Sequence, residues 1–330
     1  MIVLYTFDLP DESSNFQFQH NFDSLLMLKI SIYSVIRELS PSLTGIYIYS
    51  NNKTILKKKL NLHNSLIKYC NLPKNNNKKI SNAIVNINYE FELSVQLNSH
   101  YRSINNKFGI AHSRVFLISQ LQKKHNQNIL YLDYDTGIMR NSGQRLINKL
   151  NSNCIITDMM SANSIAESIH TLYADCNVDT LPKYINPCAI RWCCGYLFIP
   201  YNAVGIKISK RFRYLYLKLL NDLGFMDSHD ENAIGIALYE LAIYPKLLFG
   251  NTNFYSVDSN DLQTNTLPEF PEIVHYSYQK GHSKNKEKLV FWLNEWRKFF
   301  KLEIDEPKFD YNDYKKMESR DFIWGRFETI

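Results

Sequence analysis

Apolar and polar residues alternate along the chain in blocks whose periods separate strands from helices. Ile2 to Phe7 is a short apolar, β-rich run that reads as a first strand. Leu25, Leu28, Ile32, Val35, Ile36 and Leu39 then recur at helical intervals, so Phe22 to Leu39 reads as a helix. Gly45-Ile-Tyr-Ile-Tyr-Ser follows as a second strand, and strand, helix, strand in that order opens a parallel sheet. Two Lys/Asn-rich stretches, Asn51 to Lys59 and Pro73 to Lys79, read as exposed connections, with a third strand over Ala83 to Asn88.

The second half continues the alternation. A helix is expected over Ile110 to Lys124, followed by the apolar run Ile129 to Leu132, which has the character of a fully buried parallel strand. Further strands are expected at Cys154 to Asp158, Trp192 to Ile199 and Ile273 to Ser277, and helices at Lys207 to Leu220, Glu231 to Ala242 and Lys286 to Phe300. The predicted fold class is α/β: a mixed, mostly parallel central sheet flanked by helices, with a C-terminal helical extension. No repeat and no Pro/Gly-rich linker divides the chain, so residues 1–284 are expected to form one domain, with 285–330 as an extension on it.

Composition narrows the function classes. A chain of 330 residues, 45% hydrophobic and 14% aromatic, buries a large core, which excludes global disorder. The net charge of +6 is spread along the sequence rather than gathered in a stripe, which suits a small anionic ligand such as a nucleotide diphosphate and does not call for nucleic acid. The six cysteines form no Cys-x-x-Cys pair, so reduced thiols in a cytoplasmic setting are expected. The first apolar run lacks a basic leader and passes directly into Asp8, Asp11 and Glu12, as a strand does and a signal peptide does not. No apolar run reaches the roughly 18 residues of a membrane span.

The chemistry concentrates after the buried strand. Asp133 and Asp135 are separated by one residue, so in an extended chain they share a face. Carboxylates that close repel one another unless a cation compensates them, and a hard divalent ion whose shell is completed by diphosphate oxygens does so. In open α/β sheets, ligands gather at this carboxyl end of the strands.

These residues resemble the Asp-x-Asp motif of GT-A fold glycosyltransferases, most nearly family eight, which is retaining and uses uridine-diphosphate sugars. The resemblance runs in motif order from Met1 to His282. Ala111-His-Ser-Arg114-Val-Phe-Leu is similar to the helix bearing a donor-contacting arginine; otherwise Arg114 is a surface helix residue. Trp192-Cys-Cys-Gly195 is similar to the strand beside the transferred sugar, with Cys193 and Cys194 replacing the usual residues. His229-Asp230-Glu231-Asn232 is similar to the element that binds sugar hydroxyls. It implies a catalytic role for Asp230 or Glu231, although acids in a first helical turn also serve as caps. Asn232 stands where many relatives carry a second Asp.

Ile273-Val-His275-Tyr-Ser-Tyr-Gln-Lys280 resembles the late His-x-x-Gly-x-x-Lys element. Ser277-Tyr278 occupy the glycine's place and Lys280 comes one residue early. The resemblance implies Mn2+ or Mg2+ held by Asp133, Asp135 and His275, with His282 a rival ligand. It also implies a donor site built from Tyr5, Phe7, Asp8, Arg114, Asp133, Tyr134, Asp135, Gly195 and either Lys280 or Lys284. The activity implied is transfer of a hexose from a UDP-sugar to a glycan, lipid-linked or protein acceptor. The final helix carries Phe291, Trp292, Trp296 and Phe299 and docks on the core, with an anionic membrane surface as its alternative.

Three rivals are weighed. A haloacid-dehalogenase-type phosphatase shares an Asp-x-Asp after a strand but wants Thr or Val where Gly137 stands. A non-catalytic binding protein of the same fold fits the departures at Cys193 and Asn232. A nucleotidyltransferase wants a Gly-rich phosphate loop, and Tyr5 to Glu12 contain no glycine.

Overall fold

The computed structural model describes residues 1–7, 9, 21–72, 112–134, 136–138, 141–166, 181–223, 229–248 and 272–275. In chain order the elements begin with β1 (Ile2–Phe7), α1 (Asn21–Leu39), β2 (Gly45–Ser50), α2 (Lys53–Leu60) and β3 (Ile67–Asn71). They continue with α3 (Arg114–His125), β4 (Ile129–Leu132), β5 (Thr136–Ile138), α4 (Gly143–Leu150) and β6 (Met159–Ser164). The last are β7 (Ile190–Trp192), β8 (Tyr196–Ile199), α5 (Ala203–Leu223), α6 (His229–Glu240) and β9 (Ile273–His275). The chain divides into two compact units, the first made of Met1–Leu9, Leu43–Asp133 and Leu150–Phe254, the second of Pro10–Ser42, Tyr134–Lys149 and Tyr255–Ile330.

The first unit is built on a five-stranded sheet in the order β3-β2-β1-β4-β8. β1 pairs in parallel with β2 on one side and β4 on the other, β2 pairs in parallel with β3, and β8 is antiparallel to β4. The sheet is thus mixed, mostly parallel and flanked by helices. All six residues of β1 and all four of β4 are buried, which explains why these strands read as unbroken apolar runs. One core joins Ile2, Leu4, Ile129 and Leu197 of the sheet to Ile118 of α3, Phe212 of α5 and Ile234 of α6. The buried Gln122 of α3 is satisfied: its Nε2 donates to the carbonyls of Ile199 and Pro200, and its Oε1 accepts from Ser209.

Several elements differ from the sequence expectation. Residues 53–60, within a stretch read as an exposed connection, form α2. The Asn52 side chain accepts from the Ile55 N–H at 3.1 Å, Leu56 and Leu60 are buried one turn apart, and Asn61 ends the helix in the left-handed conformation. β3 carries Lys68, Cys70 and Asn71 and is only partly buried, so no apolar run announced it. The third strand expected at 83–88 and the final helix at 286–300 lie outside the described residues. The expected strand at 154–158 is reduced to isolated bridges of Ile156 with Phe198 and Lys246. The single strand expected over 192–199 is two strands in separate sheets: β7 pairs with β6, a pairing that the Cys193 N–H extends by donating to the Asp158 carbonyl at 2.8 Å, and β8 pairs with β4.

In the second unit β5 pairs antiparallel with β9, setting Thr136 opposite His275, Gly137 opposite Val274 and Ile138 opposite Ile273. α1 lies against β5: the Ile138 N–H donates to Ser34 Oγ at 2.9 Å, and Arg37 donates to the Ile138 carbonyl at 3.2 Å. Glu38 of the same helix accepts the Gly143 N–H at the start of α4. Among the described residues, no helix is long and apolar enough to cross a membrane.

Candidate functional site

The antiparallel register of β4 and β8 sets Leu132 opposite Tyr196, and one step further the Asp133 N–H donates to the Gly195 carbonyl at 2.7 Å. Two residues singled out far apart in sequence therefore meet at the carboxyl end of β4. Arg114, at the start of α3, joins them. Its Nη1 donates to Asp133 Oδ1 at 2.8 Å, to the Cys194 carbonyl at 3.0 Å and to Tyr131 Oη at 3.2 Å. Its Nε donates to Asp230 Oδ2 at 2.6 Å.

Arg114 is thus a buried cation, not a surface helix residue, and its guanidinium bridges two carboxylates. The Asp230 side chain is fully buried, whereas that of Asp133 keeps 23% of its surface exposed. Burial alone would push the Asp230 carboxyl up, but Arg114 and then His112 pull it below its ordinary value. His112 Nε2 lies 3.9 Å from Asp230 Oδ1, and its Nδ1 is hydrogen-bonded to Tyr216 Oη at 2.9 Å. Asp230 and Glu231 occupy the first turn of α6, where negative charge complements the helix dipole.

Glu231 has a different environment. Its side chain is 16% exposed, and Arg191 of β7 reaches Glu231 Oε2 at 2.7 Å. Burial pushes its carboxyl up to about 7, against the opposing pull of Arg191 and with a further push from Asp230. Two adjacent acids on one helical turn are therefore held apart in protonation, Asp230 ionised and Glu231 near balance at neutral pH.

The structure brings together Arg114, Asp133, Gly195 and Asp230, with Glu231 adjacent in α6. It places Tyr5 and Phe7 in the buried interior of β1, the central strand. In the second unit, Tyr134 lies in a turn after β4, and His275 holds its ladder position opposite Thr136, the residue after Asp135. Asp8, Asp135, Lys280, Lys284 and His282 lie outside the described residues, as does the side chain of His275. Among the described residues no group of three or more His, Cys, Asp or Glu side chains gathers as a metal cluster. The cysteines described, Cys70, Cys154, Cys188, Cys193 and Cys194, are free thiols.

Tyr131, Arg191 and His112 were not singled out from sequence. Tyr131 stands two residues before Asp133 and so shares its strand face, which is the signal that pattern reading offered. His112 lies within the stretch singled out for Arg114, and Arg191 directly precedes Trp192-Cys-Cys-Gly195.

The first unit thus belongs to the class of α/β folds with a mixed, mostly parallel sheet and a charged site at a strand's carboxyl end. No protein-family profile and no curated protein matches the chain. Similar solved structures are glycosyltransferases. One is the apo form of GlyE from Streptococcus pneumoniae TIGR4, 12% identical with a TM-score of 0.45, covering 98% of this chain, which spans 64% of that protein. Galactosyltransferase LgtC, solved with donor and acceptor sugar analogs, is 10% identical with a TM-score of 0.45, covering 93% of this chain and 98% of its own. Mouse xyloside xylosyltransferase 1 is 11% identical with a TM-score of 0.46, covering 83% and 96%.

Proposed function

We propose that the protein is a metal-dependent glycosyltransferase that moves a hexose from a UDP-sugar to a carbohydrate-bearing, lipid-linked or protein acceptor, with retention at the anomeric carbon. One observation carries the proposal: Arg114, Asp133, Gly195 and Asp230, drawn from four separate motif-bearing stretches, converge at the end of β4.

The donor chemistry fits a divalent cation. Asp133 and Asp230 both pair with the Arg114 guanidinium, and the partly exposed Asp133 is a hard oxygen donor of the kind Mn2+ or Mg2+ takes. Asp133, Asp135 and His275 would hold the ion. Bound there, it would offset charge developing on the departing diphosphate.

The chain's own residues divide the remaining work. Arg114 fixes Asp133 and Asp230 at once, so neither carboxylate reorganises as charge shifts nearby. Glu231, when ionised, accepts hydrogen bonds from sugar hydroxyls, and Arg191 restrains its orientation. Lys280 or Lys284 would contact the diphosphate. A second reading, binding without turnover, draws on the complete burial of Asp230, which keeps that carboxylate from an acceptor.

Thermal-shift measurements test the proposal. UDP is expected to raise the melting temperature in the presence of Mn2+ and not in its absence, more strongly than other nucleoside diphosphates, because a ligand of the native state alone stabilises it. Asp135→Ala should abolish the shift. No Mn2+-dependent response to any nucleoside diphosphate, or turnover of simple phosphomonoesters instead, would refute it. Slow UDP-sugar hydrolysis by the wild type and none by Asp135→Ala separates an enzyme from a binding protein.

A further inference from the structure

The hydroxyl of Tyr131 sits at the centre of the Asp133 environment. It donates to Asp133 Oδ1 at 2.5 Å, lies 3.0 Å from Thr6 Oγ1 on the neighbouring strand β1, and accepts from Arg114 Nη1 at 3.2 Å. The Arg114 guanidinium also stands 4.9 Å from the centre of the Tyr131 ring. Tyr131 is fully buried, whereas Asp133 is not.

A phenol has one proton. That proton goes to Asp133, so Thr6 must donate to the phenol oxygen, and the relay acquires a direction: Thr6 to Tyr131 to Asp133. Each donor in such a chain polarises the next. Asp133 Oδ1 consequently receives two converging hydrogen bonds, one from Tyr131 and one from Arg114. A ring buried only for packing would leave its hydroxyl a liability, since a buried polar group without partners is costly; here all of its hydrogen-bonding capacity is used.

We infer that Tyr131 is a positioning residue, which with Thr6 behind it fixes the Asp133 carboxylate in the orientation that a divalent cation and a nucleotide diphosphate require. The inference rests on the proposed function and names a part of its machinery that touches neither ligand. Groups hydrogen-bonded to a metal ligand commonly govern metal affinity by about 10-fold or more.

The test is calorimetric titration of Mn2+ into the full chain at saturating UDP, with melting temperature measured in parallel. Tyr131→Phe keeps the ring and is expected to weaken Mn2+ binding about tenfold, with no proportionate fall in the melting temperature of the ligand-free chain. Thr6→Val, which removes only the donor behind the phenol, should weaken Mn2+ binding in the same direction but by less. Unaltered Mn2+ affinity in Tyr131→Phe overturns the inference, as does an affinity loss matched by a comparable fall in the melting temperature of the ligand-free chain. Should Tyr131→Phe not fold, Thr6→Val decides by the same criterion. A wild-type chain with no Mn2+-dependent UDP binding sinks the proposed function together with this inference, whereas normal wild-type binding beside an unaffected variant sinks the inference alone.

Discussion

Arg114 and Asp230, 116 positions apart in sequence, meet with Nε to Oδ2 at 2.6 Å where neither side chain is appreciably exposed. The contact joins the first turn of α3 to the first turn of α6. Through Asp133 it also reaches the end of β4, so three elements are pinned by one guanidinium.

Removing that cation leaves the fully buried Asp230 without its guanidinium partner. Arg114→Ala is therefore expected to destabilise by about 3–5 kcal/mol, the cost typical of breaking a buried pair from one side. Arg114→Lys keeps the charge but loses the planar fork that serves both acids, and should recover less than half of that. Asp230→Asn in the Arg114→Ala background should restore part of the loss, a coupling that urea denaturation of the four proteins in a double-mutant cycle measures. Additive effects would contradict the geometry.

The two acids of α6 predict opposite pH limbs. Glu231 ordinarily ionises near 4.5 and in the folded chain holds its proton up to about 7, so between those values the native state binds more protons than the unfolded state. Stability from this group is then fully present below its unfolded value and falls as pH rises toward about 7. Asp230 is held below its ordinary value of 3.8, so its contribution is present above that pH and disappears as pH falls further. Denaturation midpoints measured across pH should show both limbs, with Glu231→Gln flattening the upper one. Donor hydrolysis, if it requires ionised Glu231, should rise through about pH 7 in the wild type.

The sheet was legible wherever burial imposed an unbroken apolar run, as in β1 and β4, and hidden where a strand lies at the edge. Ile67–Asn71 carries Lys68 and Asn71 because one side of an edge strand meets water. Asp133 and Asp230, each marked by its place after a strand or at a helix start, lie in the same cluster as Arg114. What the sequence withheld was the partnership. Nothing in the spacing of Arg114 distinguishes a side chain aimed at a ligand from one buried between two aspartates, because that depends on pairings over 19 and 116 positions. Arg191 escaped notice for a similar reason, its role being set by where β7 meets α6 rather than by its neighbours in the chain.

That meeting depends on Gly235, which lies one helical turn beyond Glu231 on the same side of α6. A Cβ at position 235 would fall 2.1 Å from the carbonyl oxygen of Ile190 and 2.9 Å from Ile165 Cδ1. The first obstacle is backbone, so β7 itself must move. Overpacking of this kind costs about 1–3 kcal/mol, against about 1 kcal/mol that alanine returns in helix propensity, and Gly235→Ala should come out destabilised. Because Arg191 directly follows Ile190, the same displacement should open its 2.7 Å contact with Glu231. Arg191 lowers the Glu231 carboxyl, so releasing it moves the upper pH limb to higher pH. Arg191→Ala should reproduce that pH shift without the backbone clash, which separates the two effects. A Gly235→Ala protein with unchanged denaturation midpoint and unmoved pH limb would mean that β7 does not hold Arg191 against α6 in solution.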